Sequence, residues 1–133
     1  MAAGPLIDTS VLIDYFGGIR NAETDALDRL LEEGPVPATA PVILQEFLQG
    51  FPVARDFERA RRWLGLFDRL RTPDYEGHER AARLHLALRR KGLMSSTSDA
   101  LIVTVAAMAA RPLLTRDKLQ LRLADQAGVE SFL

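Results

Sequence analysis

Near its beginning the sequence contains the stretch Leu6-Ile7-Asp8-Thr9-Ser10-Val11-Leu12-Ile13-Asp14-Tyr15-Phe16. Its short apolar run at residues 6–7 predicts a buried strand that feeds a turn. The segment over residues 11–16 predicts one or two helical turns, which the glycine pair at 17–18 ends. The stretch thus predicts a strand followed at once by an acid, Asp8, and then by a helix.

Outward from this stretch, strand and helix signals alternate along the chain. Helices are predicted over residues 22–33, 41–50, 53–70, 76–91, 99–110 and 118–127, and short strands over 36–39, 113–115 and 129–132. Short apolar strands that alternate with helices predict an α/β fold with a parallel sheet covered by helices. In sheets of this kind, sites form just beyond the carboxyl ends of the strands.

The composition bounds the protein class. A length of 133 residues, of which 47% are hydrophobic and 26% charged, predicts a single packed domain over residues 1–133. The absence of cysteine excludes a disulfide framework, a thiolate metal site and a cysteine nucleophile. No apolar stretch reaches the roughly 18 residues that a membrane span needs, and no signal peptide led by Lys or Arg opens the sequence. We therefore expect a soluble, cytoplasmic protein.

The net charge of −1 is unevenly distributed. Residues 1–50 contain eight acids and two bases, whereas residues 51–133 contain ten acids and fifteen bases. Only Lys91 and Lys118 are lysine, so the bases are almost all arginine, which pairs with phosphate through two parallel hydrogen bonds. The second part of the chain could therefore meet a polyanion. The alternative is an arginine-biased genome and ordinary solvated helix faces.

Four acids occupy contexts in which a charge needs a partner. Asp8 and Asp117 each follow a predicted strand, so parallel strands bring them to the same edge of the sheet. Asp99 begins a buried helix after a serine-rich turn, and Glu46 is embedded among apolar residues. Clustered carboxylates raise one another's pKa, and a divalent cation such as Mg²⁺ or Mn²⁺, which prefers oxygen ligands, relieves that repulsion.

Each acid also has an ordinary structural explanation. Asp8 and Asp117 can cap the helices that follow them, and Asp99 can form a capping box with Ser96. Glu46 can face solvent, because a short helix has an exposed side. The case for a site depends on all four acids occurring together.

Four motifs carry a family resemblance. They are the opening stretch, Pro41-Val42-Ile43-Leu44-Gln45-Glu46-Phe47-Leu48-Gln49-Gly50, Ser98-Asp99-Ala100-Leu101-Ile102 and Leu113-Leu114-Thr115-Arg116-Asp117. In order and spacing the motifs resemble those of PIN-domain ribonucleases, in particular the VapC toxins of type II toxin–antitoxin systems. The resemblance covers nearly the whole chain. It implies a three-layer α/β/α sandwich with a short parallel sheet and Mg²⁺- or Mn²⁺-dependent cleavage of RNA phosphodiesters by an activated water. It also implies a homodimer and a cognate VapB-like antitoxin that neutralises the toxin.

Roles for individual residues follow from the same resemblance. The implied catalytic and metal-binding set is Asp8, Glu46, Asp99 and Asp117. Thr9, Ser10 and Thr115 would support these acids, and Arg116 would bind phosphates of the substrate.

Two departures from the family pattern leave the number of metal ions open. Relatives often carry a further acid two residues after the position of Asp117, where this chain has Leu119 and then Gln120. Many also carry an acid shortly before Asp99, where this chain has Ser95 and Ser96.

Other residues are interpreted as scaffold. We expect Asp14 to face solvent, and the aromatic residues Phe57, Trp63 and Phe67 to pack in the core or against a partner. The apolar helices over residues 53–91 could offer a groove to an antitoxin helix.

Two alternative functions remain open. An aspartate after the first strand also suits phosphoaspartyl chemistry, as in haloacid-dehalogenase-like phosphatases or receiver domains. The former need a second acid where Ser10 stands, and the latter need an acidic pair before Asp8 that the chain lacks. A PIN-like fold that acts only as a non-catalytic interaction module is the other alternative.

Overall fold

The computed structural model describes residues 3–133, in which short strands alternate with helices as the sequence predicts. The elements are β1 (Leu6–Ile7), α1 (Thr9–Phe16), α2 (Ala22–Glu33), β2 (Ala38–Thr39), α3 (Pro41–Leu48), α4 (Ala54–Leu64), β3 (Asp68–Arg69), α5 (Tyr75–Arg89), α6 (Thr97–Met108), β4 (Leu113–Leu114) and α7 (Lys118–Ala127). Among the described residues, no helix has the length and apolar character to cross a membrane.

The four strands form one parallel sheet in the order β3-β2-β1-β4. Helices α5, α6 and α7 pack on one another, while α1 packs with α2 and α3, and α3 with α4. The three-layer α/β/α architecture is therefore confirmed. From β1 the chain adds β2 and β3 on one side and then returns to add β4 on the other. The gap between the ends of β1 and β4 is the topological switch point, where ligands bind in open α/β sheets.

The sheet is buried because its central strands are apolar. The side chains of β1 and β4 are at most 1% exposed. Gly4 is required just before β1, since a Cβ at this position would lie 2.2 Å from the carbonyl oxygen of Val36. This close approach lets the backbone amide of Ala38 donate to the carbonyl of Pro5 at 2.8 Å and align β2 with β1.

The structure corrects two predicted elements. The helix predicted over 53–70 ends at Leu64, and β3 follows because the amide of Asp68 donates to the Pro37 carbonyl at 2.9 Å. These backbone bonds to β2 override the helical pattern beyond residue 64. The strand predicted over 129–132 is reduced to a single bridge between Ser131 and Leu113. Backbone bonds of 2.9 Å from Leu113 to Glu130 and from Phe132 to Leu113 hold this segment beside β4.

Of the aromatic residues predicted to pack in the core or against a partner, two pack inside the protein. Phe67 is buried, and Trp63 is half-buried between the rings of Tyr15 and Phe67 at centroid distances of 5.6 and 5.1 Å. Phe57, by contrast, is 38% exposed, because it lies on the outer side of α4.

Candidate active site

Asp8 lies at the carboxyl end of β1, is only 5% exposed and accepts four hydrogen bonds. Its Oδ2 accepts from the backbone amide of Ser10 at 3.1 Å, from the Ser10 hydroxyl at 2.5 Å and from the Thr115 hydroxyl at 3.1 Å. Its Oδ1 accepts from the side-chain amide of Gln120, with Nε2 at 2.9 Å. Asp8 also caps α1, so the carboxylate is held in one orientation by three separate segments of the chain.

Asp117 lies beside Asp8 at the end of the neighbouring strand, β4. Its Oδ1 caps α7 by accepting from the amides of Leu119 at 2.8 Å and Gln120 at 3.3 Å. Its own amide donates to the Thr115 hydroxyl oxygen at 3.1 Å. Because the same hydroxyl donates to Asp8, Thr115 links the Asp8 carboxylate to the backbone of Asp117.

Asp99 reaches the same region from the first turn of α6. It forms the capping box with Ser96, whose amide donates to Asp99 Oδ2 at 3.1 Å. Burial raises the pKa of Asp99, the hydrogen bonds from Ser96 lower it, and the charges of Asp117 and Asp8 raise it further. The charges of two other predicted acids, Asp117 and Asp8, therefore reach Asp99.

Glu46 connects to this group through two hydroxyl groups. Partly buried on α3, it accepts from the Thr9 hydroxyl through Oε1 and from the Ser98 hydroxyl through Oε2, both at 2.9 Å. Thr9 follows Asp8 in the chain and Ser98 precedes Asp99, so Glu46 is bonded to the residue next to each of these two acids. The solvent-facing alternative for Glu46 does not hold.

The donor set is suited to a hard divalent cation, since it consists of carboxylate oxygens at the switch point of the sheet. A further oxygen belongs to the same network: Gln120 Oε1 is buried and has no hydrogen-bond partner among the described residues. Within residues 3–133, no three carboxylate or imidazole groups are gathered closely enough to form a ready-made metal cage. The residues thus fit a cation by the chemistry of their oxygens and by the hydrogen bonds that link their segments.

Arg116 is anchored at the rim of this site. Its Nη1 lies 2.6 Å from Asp14 Oδ2, and its backbone amide donates to the Ser10 hydroxyl oxygen at 3.4 Å. The hydrogen bond to Asp14 raises the pKa of Arg116. The prediction that Asp14 faces solvent is wrong, because its side chain is only 15% exposed and also accepts from Asn21 Nδ2 at 3.3 Å. The Arg116 side chain remains 47% exposed.

Two residues of the network were missed by sequence reasoning. Gln120 is completely buried on the same face of α7 as Leu123 and Ala124. A polar residue at a position of the apolar stripe is the signal that could have identified it. Ser98 stands beside Asp99 in the third motif, but nothing in the sequence pairs it with Glu46, which is 52 residues away.

Comparison with known proteins points to one family. The model of the PIN domain family matches residues 6–126. A toxin–antitoxin complex from Klebsiella pneumoniae is 25% identical, with a TM-score of 0.61 over 86% of this chain and 87% of that chain. VapBC-5 from Mycobacterium tuberculosis, a member of the VapBC family of toxin–antitoxin systems, is 25% identical, with a TM-score of 0.66 over 98% of each chain. FitAcB from Neisseria gonorrhoeae has a TM-score of 0.73 at 21% identity over 96% of each chain, which shows a shared fold. None of the curated proteins matches this sequence significantly.

Proposed function

The chain belongs to the PIN-domain family. We propose that it is a VapC-like toxin that cleaves RNA phosphodiesters with Mg²⁺ or Mn²⁺. One observation carries the proposal. The Thr115 hydroxyl bonds both the Asp8 carboxylate and the Asp117 backbone amide, and the charges of Asp8 and Asp117 raise the pKa of Asp99. Glu46 accepts from the hydroxyls of Thr9 and Ser98, the chain neighbours of Asp8 and Asp99. Caps alone do not account for this linkage, since α1, α6 and α7 could each be capped independently.

The cation would be held by Asp8, Glu46, Asp99 and Asp117. A divalent ion bound there would supply Lewis-acid stabilisation of charge on a phosphodiester and would make water easier to deprotonate. The electrostatic state of the site supports this assignment, since burial and two neighbouring acids already raise the pKa of Asp99. A cation offsets that cost.

The chain's own residues position these groups. Ser10 and Thr115 fix the Asp8 carboxylate, and the hydroxyls of Thr9 and Ser98 hold both oxygens of Glu46. Arg116, tied to Asp14 yet half-exposed, is available at the rim to bind a flanking phosphate of the RNA. The ion pair with Asp14 keeps the guanidinium near the acids, which limits the conformational entropy lost when RNA binds.

The test is RNA cleavage by the purified chain with Mg²⁺ or Mn²⁺, with excess EDTA and with single variants. We expect Asp8→Asn and Asp99→Asn each to abolish cleavage while the fold survives. Asp125→Asn, which removes an exposed acid from α7, is the matched control and should cleave normally. Undiminished cleavage in EDTA or by either site variant would contradict the proposal. Covalent phosphate trapped on Asp8 would instead favour phosphoaspartyl chemistry.

We further propose that the protein forms a homodimer and is neutralised by a VapB-like antitoxin. The similarity to toxin–antitoxin complexes supports an antitoxin partner. An apolar cavity of about 350 Å³ between α5 and α6 is available for contact with other chains. It is lined by His78, Ala81, Ala82, His85, Leu86, Thr97, Ala100 and Leu101. Light scattering of the purified chain, with and without the product of a neighbouring short gene, tests both partners.

A further inference from the structure

Gln120 is a polar side chain at a position where packing favours an apolar one. It is completely buried, on the same face of α7 as Leu123 and Ala124. Its Nε2 donates to Asp8 Oδ1 at 2.9 Å, whereas its Oε1 accepts no hydrogen bond within the described residues. Because a buried carbonyl without a partner lowers stability, packing alone does not explain a glutamine here.

The contact with Gln120 differs from the other contacts of the Asp8 carboxylate. The amide and hydroxyl of Ser10 and the hydroxyl of Thr115 all donate to Oδ2. Among the described residues, Gln120 Nε2 is the only donor that reaches Oδ1. The charge on Asp8 fixes this orientation of the amide, because the opposite one would turn a carbonyl oxygen toward a carboxylate.

The donors on the two oxygens of Asp8 have different effects. Those on Oδ2 fix the position of one oxygen, but the carboxylate can still turn about that point. The donor on Oδ1 fixes the second oxygen and with it the plane of the group. Because partners of a carbonyl oxygen approach close to that plane, Gln120 sets the direction from which Oδ1 can be reached.

Gln120 also contacts Asp117, the acid that follows β4. Its backbone amide donates to Asp117 Oδ1 at 3.3 Å, within the first turn of α7. Its side chain reaches Asp8, which is 112 residues away and follows β1. One residue therefore bonds the carboxylates of both acids that follow the two central apolar strands.

We propose that Gln120 is a positioning residue of the candidate active site. Its side chain sets the plane of the Asp8 carboxylate, and its backbone amide holds Asp117. This inference rests on the proposed function, since RNA cleavage is the reaction that Asp8 would serve.

The first experiment compares RNA cleavage by the unmodified chain and by Gln120→Met, which keeps a side chain of similar length but removes the donor to Asp8. We expect kcat to fall about 10- to 100-fold with KM unchanged, as when a partner that orients a catalytic ligand is lost. Circular dichroism checks that the variant is folded at the assay temperature. Gln126→Met, the same change at an exposed position of α7, is the control and should cleave normally. A role in folding alone predicts a lower melting temperature with unchanged kcat, and that result would overturn the inference.

The second experiment needs neither cleavage nor a folded Gln120→Met variant. It follows the side-chain amide protons of Gln120 by nuclear magnetic resonance on the ¹⁵N-labelled full chain in EDTA. We expect these protons to exchange slowly with solvent and to shift upfield in Asp8→Asn, because the hydrogen bond to a charged oxygen is lost. Asp125→Asn, at an exposed position of α7, should leave them in place.

The outcomes separate the two proposals. Gln120 signals that do not respond to Asp8→Asn would overturn the inference even if the unmodified chain cleaves RNA. Absence of RNA cleavage by the unmodified chain would remove the proposed function, and the amide signals then decide separately whether Gln120 holds the Asp8 carboxylate.

Discussion

Thr115 and Asp8, which are 107 residues apart in the sequence, are joined by a buried hydrogen bond of 3.1 Å from the threonine hydroxyl to Asp8 Oδ2. The same hydroxyl oxygen accepts from the amide of Asp117. One side chain thereby ties the Asp8 carboxylate, at the end of β1, to the backbone of Asp117, which follows β4.

Thr115→Val should weaken both stability and activity. The change keeps the shape but removes a hydrogen bond to a charged group, which costs about 1.5–3 kcal/mol. Chemical denaturation measures the loss, and RNA cleavage should fall as Asp8 loses its fixed orientation. Thr104→Val is the control, because Thr104 is also buried but bonds only to the carbonyl of Ala100 in its own helix. Equal losses of cleavage in the two variants would contradict the positioning role.

Glu46→Gln should leave the fold intact and reduce RNA cleavage by a factor on the order of 100, since a neutral amide binds a hard cation poorly. In addition, the NH₂ group of the amide cannot accept a hydrogen bond from a hydroxyl as the carboxylate oxygen does. Cleavage rates and circular dichroism measure the two effects. Glu33→Gln, an exposed change at the end of α2, should leave the rate unaltered. A folded Glu46→Gln variant with full activity would exclude Glu46 from the site.

Mn²⁺ should raise the thermal stability of the protein, because an ion that binds only the folded state stabilises it by mass action. The Asp99→Asn variant should lose this gain. In EDTA the same variant should be more stable than the unmodified chain, since it removes a half-buried charge that Asp117 and Asp8 repel. Thermal melts with and without EDTA measure both effects. The reverse order of stabilities in EDTA would mean that Asp99 is purely a helix cap.

Arg116→Ala should weaken RNA binding about equally for different sequences and lower the slope of log affinity against log salt by roughly 1. Fluorescence anisotropy in the Asp99→Asn background measures binding without cleavage. Arg122→Ala removes an exposed arginine of α7 and is the control for general loss of positive charge. If RNA affinity depends on salt identically in the unmodified and Arg116→Ala chains, Arg116 binds no phosphate and serves only the ion pair with Asp14.

Stability should fall in alkaline solution because of Tyr15. Burial and the hydrogen bond to Asp28 raise the pKa of Tyr15 from 10.0 to about 12. Above pH 10 the unfolded chain loses this proton while the folded chain keeps it, so the contribution of Tyr15 to stability declines between pH 10 and 12. Urea denaturation across this range should show a shallower decline for Tyr15→Phe than for the unmodified chain. Tyr75→Phe, at a side chain that is 85% exposed, is the control.

The architecture could be predicted from the sequence because the patterns that indicate its helices and most of its strands are local. The apolar pairs of β1 and β4, each followed by an acid, predicted parallel strands with their acids at one edge. β3 could not be predicted, since its two residues, Asp68 and Arg69, are exposed and polar and only pairing with β2 defines them.

Only part of the candidate site could be predicted from the sequence. Motif spacing identified the four acids, whose roles remain predictions. The contacts that orient them depend on tertiary packing across 37 to 112 residues, and no local pattern encodes these distances. For the same reason the ion pair between Asp14 and Arg116 was not foreseen from the surface position of either residue.

The segment that runs beside Leu113 has a consequence for self-association. By exchanging backbone bonds with β4, residues 130–132 shield the flank of the sheet that would otherwise expose unpaired amides and carbonyls. The opposite flank carries Asp68 and Arg69, whose charges discourage strand addition. A variant truncated after Val129 would therefore expose the apolar edge of the sheet at β4. We expect this variant to aggregate and not to form a defined assembly.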